Sequence, residues 1–573
     1  MKNFYYAAII LSLSVLSCCH DPETIQTADK IFSNGKIYTL DEKKPWAEAV
    51  AIKDGKIIFV GDNKSVTQFK GDKTIQQDLK GKMMLPGFID THAHPVSGGA
   101  YINSLSLDTY ANPQMWLKQI SAYAKQNPNL KLIFGYGFLA SAFGPDGPDR
   151  KLLDTIIAER PVFLIDEGFH GAWLNSHALQ LLGITHETAD PVPGFSYYKR
   201  DKNGEPTGYL LESTVDLAMT KLNIINAKTV TRGTEDVIKI MNSYGITSVF
   251  DAGALDLESM QLQVLDKLDK QGLLTLHYRG SHMVAESEDS NNAIAQTLQK
   301  KSLSSSKPWK IATLKIVDDG TIEGKTAAMF EDYQGDPGNR GKTIFTQQQM
   351  NELISEASTK NLDVHVHALG ERAVFETLNA IEYARKMHPE TNSRFTICHI
   401  QVIQDSDIQR FADLDVIAQS TPLWTSYDEF GKAYVSDDQF QRYFRYNSLR
   451  KAGVKLTFGS DFPATGAGTL GMSPLYNMEI GHTRQSAGEA NAPIQPRKSE
   501  RLDLEAMIKG YTLDAAYQLN MEHEIGSIET GKLADFVILD KNLFQVDEYA
   551  IHEVKVLQTI LGGKTIYQRE VAK

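Results

Sequence analysis

Residues Met83 to Pro95 read MMLPGFIDTHAHP, an apolar run that ends in Asp90, His92 and His94. Side chains in a strand alternate faces, so these three polar groups would share one side. Neutral imidazoles and a carboxylate are what zinc or a similar divalent ion takes as ligands, with a position left open for water. LDVHVHALG repeats the His-x-His spacing with His365 and His367, RFTICHIQV supplies His399, and VKLTFGSDFP supplies Asp461. One buried histidine is usually a satisfied core residue, but this many at strand ends point to a metal centre. IATLKIVDDG adds Lys315 inside an apolar strand. An ammonium is costly to bury there, and burial beside cations favours the neutral, reactive amine.

The elements that must position these residues are short apolar strands, each ending in polar residues and followed by a helical segment. After MMLPGFIDTHAH come Gly245 to Gly253, Leu273 to Gly280, Ile311 to Gly320, Leu362 to Gly370, Arg394 to Val402, Asp415 to Pro422 and Val454 to Pro463. Among the connections, TQQQMNELISEASTK opens with a Thr-x-x-Gln capping box, and ERAVFETLNAIEYARKMH has helical apolar spacing at Val374, Leu378 and Ile381. Eight such units predict an α/β fold, a (β/α)8 TIM barrel spanning 83–534, whose site gathers at the C-terminal strand ends.

The flanks read differently. IFSNGKIYTL and AVAIKDGKIIFVG carry Asn-Gly and Asp-Gly hairpin signals, and ADFVILD with HEVKVLQTILGGKTIYQ has the same texture. Residues 31–82 and 535–573 are therefore expected to form one small β-sandwich from both chain ends. A stretch of about 98–231 exceeds an ordinary crossover and predicts an inserted subdomain or lid. Most of its aromatics should form its own core; Tyr136 and Trp173 are candidates to line a pocket.

Composition narrows the class. The 573 residues are 42% hydrophobic and 23% charged, as in a soluble globular protein with a large core. A net charge of −12 without a basic run gives nucleic-acid binding no support. Cys18, Cys19 and Cys398 cannot build a disulfide framework. Residues 1–19 read as a processing segment and 20–30 as a polar tether; the apolar stretch is short for a membrane span. VLSC resembles the lipobox of bacterial lipoproteins, which implies lipidation at Cys18. Cys19 fits less well, because Cys18 would then hold the small-residue position; a plain secretory signal is the alternative. The body is expected to be exported, anchored in a bacterial membrane by lipid only, in the periplasm or at the cell surface.

PGFIDTHAH, NSHALQLLGI with GEPTGYLLE, HVHALGERA, FGSDFP and GSIETGKLADFVILD together resemble the amidohydrolase superfamily across nearly the whole mature chain. The likeness is to its amidohydrolase-3 branch, which includes N-substituted formamide deformylases. It implies that His92 and His94 hold a first metal, and that Lys315, carboxylated by CO2, bridges two metals as a carbamate. His367 and His399 would hold the second, and Asp461 would touch the first and move the proton. His367 is preferred over His365 because Ala-x-Gly follows it; His365 would stand behind the ligands. Relatives often show Glu-His on strand six, where this chain has Cys398-His399. One residue from His399, Cys398 is expected to face the opposite side as a buried structural thiol. His282, placed after strand three, is a candidate donor to an oxyanion. The function implied is metal-dependent hydrolysis of an amide or N-formyl C–N bond in a small molecule, with one or two ions, zinc or similar. The alternatives are hydrolysis of another bond or an isomerisation on the same fold, or a non-catalytic, surface-anchored metal-binding lipoprotein.

Overall fold

The computed structural model describes residues 26–570 apart from 108–110, 145, 167–170, 194–195, 255–256, 323, 427–431 and 466. Cys18, Cys19 and the processing segment lie outside the described residues. Eight parallel strands follow one another around a barrel: β1 (Phe88–Ala93), β2 (Ile246–Asp251), β3 (His277–Val284), β4 (Lys310–Val317), β5 (Asp363–Ala368), β6 (Phe395–His399), β7 (Val416–Ser420) and β8 (Leu456–Phe458). The ring closes where the Asp461 N–H donates to His92 O at 2.7 Å and the His94 N–H to Phe462 O at 2.8 Å.

The helices form for local reasons. Gln347–Thr359 opens on a reciprocal capping box, with the Thr346 N–H donating to Gln349 Oε1 and the Gln349 N–H to Thr346 Oγ1. Glu371–Met387 buries Val374, Leu378 and Ile381 on one stripe, as their spacing predicts. Strand three starts four residues later than expected, because Leu273 closes the preceding helix. Its N–H reaches Leu268 O and that of Gly272, at φ 69°, reaches Asp269 O, which is a Schellman ending.

The apolar run that opens the site is split in two. Met83–Pro86 pairs antiparallel with Phe536–Leu539 and parallel with Lys36 and Ile37, in a six-stranded sheet outside the barrel. The boundary expected at 83 thus falls at Gly87, where any Cβ would lie 2.2 Å from Thr247 Oγ1. Asp54 and Gly55 (φ 48° and 76°) turn a hairpin between Ala49–Lys53 and Lys56–Gly61. Asn34-Gly35 does not. Lys30–Ser33 lies in a four-stranded sheet and Lys36–Tyr38 in the six-stranded one, so the chain turns a corner between sheets. Phe32, Val50, Met84, Phe536 and Ile560 share one core between these sheets.

Between β1 and β2 a second six-stranded sheet runs from Leu105–Ser106 to Pro206–Leu211 and Tyr198–Arg200. One of its clusters holds Trp116, Phe138, Leu153 and Trp173; the other holds Phe163, Ile165, Leu174 and Val215.

Glu500 ties the C-terminal helical segment to the connection between β7 and β8. It accepts from Ser448 Oγ (2.6 Å), Ser448 N (3.0 Å) and Arg445 Nε (3.0 Å). Burial pushes its carboxyl up, but Ser448 and Arg445 outweigh this and hold it below the ordinary value of 4.5. A depressed folded value means stabilisation that is present above 4.5 and lost as pH falls through the folded value. Glu500→Gln should therefore cost about 1–3 kcal/mol at neutral pH, with the difference from wild type shrinking in acid. Urea unfolding across pH reads this; a penalty independent of pH would contradict it.

A candidate metal centre at the barrel mouth

At the end of β1, His92 Nε2 lies 3.3 Å and His94 Nε2 3.2 Å from Asp461 Oδ1. One ligand atom from each of these residues falls within 4.8 Å of the other two. His94 Nδ1 is 2.7 Å from Gly253 O; a carbonyl only accepts, so Nδ1 carries a proton and Nε2 is turned to Asp461. Burial pushes His94 down, but Asp461 outweighs it and leaves the imidazole raised. Burial likewise pushes Asp461 up, and His92 with His94 overcome it and hold the carboxyl well below the usual range. A divalent cation would take the place of the proton held in this group.

Asp90 does something else. Its carboxylate accepts from Ser460 Oγ (2.6 Å), Ser460 N (3.1 Å) and His92 N (3.1 Å), and burial lifts it to about 6. It binds the segment after β8 to β1. Gly459 permits the approach, because a Cβ there would lie 2.5 Å from His92 N. In GSD, then, glycine allows the contact, Ser460 anchors it, and Asp461, at φ 53°, turns into the site.

Lys315, 2% exposed, pairs with His365 across β4 and β5, and its Nζ donates to Cys398 Sγ at 3.0 Å. His365 stands behind His92, with Nε2 3.0 Å from His92 Nδ1 and its ring stacked on Phe250. The His367 and His399 rings are 4.5 Å apart, and those of His399 and His92 4.7 Å. His367 Nε2 and His399 Nδ1 are buried with no hydrogen-bond partner among the described residues. Burial, reinforced by Lys315, lowers His92 to about 4 and His367 to about 3, while burial holds His365 and His399 well below 6.5. These imidazoles are neutral, as metal ligation requires.

Cys398 does not face away. His367 pairs with Cys398 across β5 and β6, so Cys398 holds the regular axis-facing position. His399 would point outward in a regular strand. It reaches the centre because its φ is 75° and that of Ile400 48°, which breaks the alternation. Ser420 Oγ donates to His399 O at 2.8 Å and Tyr446 OH donates to Ser420 Oγ at 2.7 Å, bracing this backbone.

Two other expectations need correcting. His282 lies within β3, one residue before Met283, which pairs with Lys315. It faces the helices, where its Nδ1 is 2.9 Å from Glu258 Oε2 and Lys300 binds the same carboxylate, so it is not an oxyanion donor. Trp173 is wholly buried in the insertion's core, with Nε1 donating to Asp149 O at 3.0 Å, so its side chain is taken up by packing there. Tyr136 packs half-buried in the insertion, its ring 6.0 Å from Tyr101. Two neighbours of the site were missed. Trp424 stacks on His399 with centroids 5.3 Å apart. Asp319 lies 3.7 Å from His367 Nε2, accepts three backbone N–H groups, and is pushed by burial to about 7. The acidic doublet closing strand four was its only signal.

A family model described as the amidohydrolase family matches residues 76–567. The chain belongs to that family. It is a metal-dependent hydrolase, and the donor set at the barrel mouth fits a divalent ion. The exoenzymes regulatory protein AepA of Pectobacterium carotovorum is 30% identical over 75% of this chain and 93% of its own length. The N-substituted formamide deformylase of Arthrobacter pascens is 26% identical over 95% of this chain and 99% of its own. An uncharacterized metal-dependent hydrolase from Pyrococcus furiosus superposes with a TM-score of 0.70 at 24% identity, covering 90% of this chain and 99% of that one, which shows the fold.

Proposed function

We propose that this amidohydrolase cleaves an amide or N-formyl C–N bond in a small molecule. One or two zinc ions would be held by His92, His94, His367, His399, Asp461 and a carbamate on Lys315. The convergence of His92, His94 and Asp461 within 4.8 Å carries this reading. The likeness to a formamide deformylase over nearly its full length supports the bond type. A bound divalent ion lowers the pKa of water from 15.7 toward ~7 and polarises the substrate carbonyl. Asp461 accepts the proton of the attacking water and returns it to the leaving nitrogen. Asp90 fixes Asp461 through Ser460, and the Gly253 carbonyl fixes the His94 ring. Trp424, stacked on His399, forms a wall of the site. The flanking sheets act as a small sandwich beside the barrel, and the insertion shapes substrate entry as a lid.

The protein would be exported and tethered through lipid on Cys18. Among the described residues, no helix is long and apolar enough to cross a membrane. The test is hydrolysis of a panel of N-formyl amines and simple amides by zinc-loaded and chelated protein. Turnover that chelation abolishes and zinc restores is expected. Hydrolysis of esters alone by the zinc-loaded protein would overturn the bond assignment.

A further inference from the structure

We propose that Cys398 supplies a thiolate ligand beside His92 and His399, so that the metal centre of this chain is a mixed nitrogen–sulfur site. The proposal rests on the reading that a divalent ion occupies the barrel mouth. It begins from strand register. Cys398 continues the axis-facing row that pairs with His367, while His399 joins it through its left-handed backbone. Adjacent residues of one strand thus present both a sulfur and an imidazole to the same point. Cys398 Sγ, one nitrogen of His92 and one of His399 all lie within 4.8 Å of one another.

The surroundings are those of a ligand. A structural thiol packs among apolar side chains. Cys398, fully buried, instead has Lys315 Nζ at 3.0 Å and a nitrogen each of His92 and His399 within 4.8 Å. Independently, His399 Nδ1 is buried without a hydrogen-bond partner among the described residues, at a residue 2% exposed. A buried ring nitrogen in that state costs free energy unless something fills the position. On metal binding the S–H bond is lost as the sulfur–metal bond forms, and the proton leaves to solvent. The Lys315 N–H then donates to the bound sulfur, the kind of support from behind that orients a ligand. A thiolate in the set favours zinc, cobalt or cadmium over magnesium or manganese.

Cobalt(II) makes this visible without any substrate. The full-length protein, stripped by chelation and reloaded with cobalt, should show visible ligand-field bands and a strong near-ultraviolet thiolate-to-cobalt band. Cys398→Ser should keep the former and lose the latter, whereas Cys18→Ser/Cys19→Ser should keep both. Zinc affinity in Cys398→Ser should fall by more than the roughly 10–100-fold that losing a partner behind a ligand costs. Ligand-field bands without the thiolate band, or a thiolate band that survives Cys398→Ser, would overturn the proposal and leave the metal centre standing. Failure of the wild type to take up cobalt or zinc would overturn the metal reading itself. Should Cys398→Ser and Cys398→Ala both unfold, the 113Cd resonance of the loaded wild type decides. A downfield, sulfur-type shift supports Cys398, and a nitrogen–oxygen shift refutes it.

Discussion

Asp461→Asn should lower kcat by about 10²–10⁴-fold, the range that a positioned proton carrier supplies. The amide keeps the size and one oxygen of the carboxylate, so its packing against His92 and His94 can persist. It cannot accept a proton from water or hand one to the leaving nitrogen. In the wild type, burial alone would push Asp461 toward the neutral acid; His92 and His94 reverse this and keep it ionised through the neutral range. KM should change much less than kcat, because the loss lies in the transition state. Metal analysis of the same preparation separates the two roles. Metal retained with kcat collapsed assigns proton transfer to Asp461. Metal lost in parallel makes it a ligand first. A loss below about tenfold with metal retained would remove it from the chemistry.

The barrel was legible because short apolar segments run on into polar residues, and because helix signals such as Thr346 with Gln349 sit between them. The convergence of His92, His94 and Asp461 follows from that pattern. What the chain does not announce is where alternation fails. Cys398 and His399 were assigned to opposite faces by the period of a regular strand. Their common orientation depends on left-handed backbone held by Ser420 and Tyr446, residues distant in sequence. Asp90 looks like a ligand by spacing, yet its carboxylate is taken by Ser460 across the closure of the barrel. His282 falls inside strand three rather than in the loop beyond it, because Leu273 belongs to a helix ending and the strand starts four residues later, at His277. Asn34-Gly35 has hairpin chemistry but turns a corner between sheets, a choice made by the partners of the flanking strands. The helix ending at Leu273 is closed by local contacts. In the other three cases the deciding contact is long-range, and period or turn chemistry cannot contain it.

Lys315→Ala should reduce the metal content from about two divalent ions per chain to one or fewer, as expected when the bridge of a two-metal site is removed. The lysine is 2% exposed and delivered by β4 among His365, Cys398 and the other imidazoles, with Cys398 as its hydrogen-bond partner. Its amine is thus held away from water, with a thiol as acceptor. Reaction of the amine with CO2 releases a proton and leaves a carbamate, an anion that two cations can share. Loading with 13C-bicarbonate should therefore give a carbamate carbonyl resonance in the wild type and none in Lys315→Ala. The variant also tests what Lys315 does for Cys398. If ion number is unchanged and no carbamate resonance appears, the lysine is the hydrogen-bond donor that supports the sulfur. The thiolate-to-cobalt band should then weaken in Lys315→Ala while the ligand-field bands persist. If the ions leave and the resonance disappears with them, the bridge belongs to Lys315, and Cys398 binds beside it.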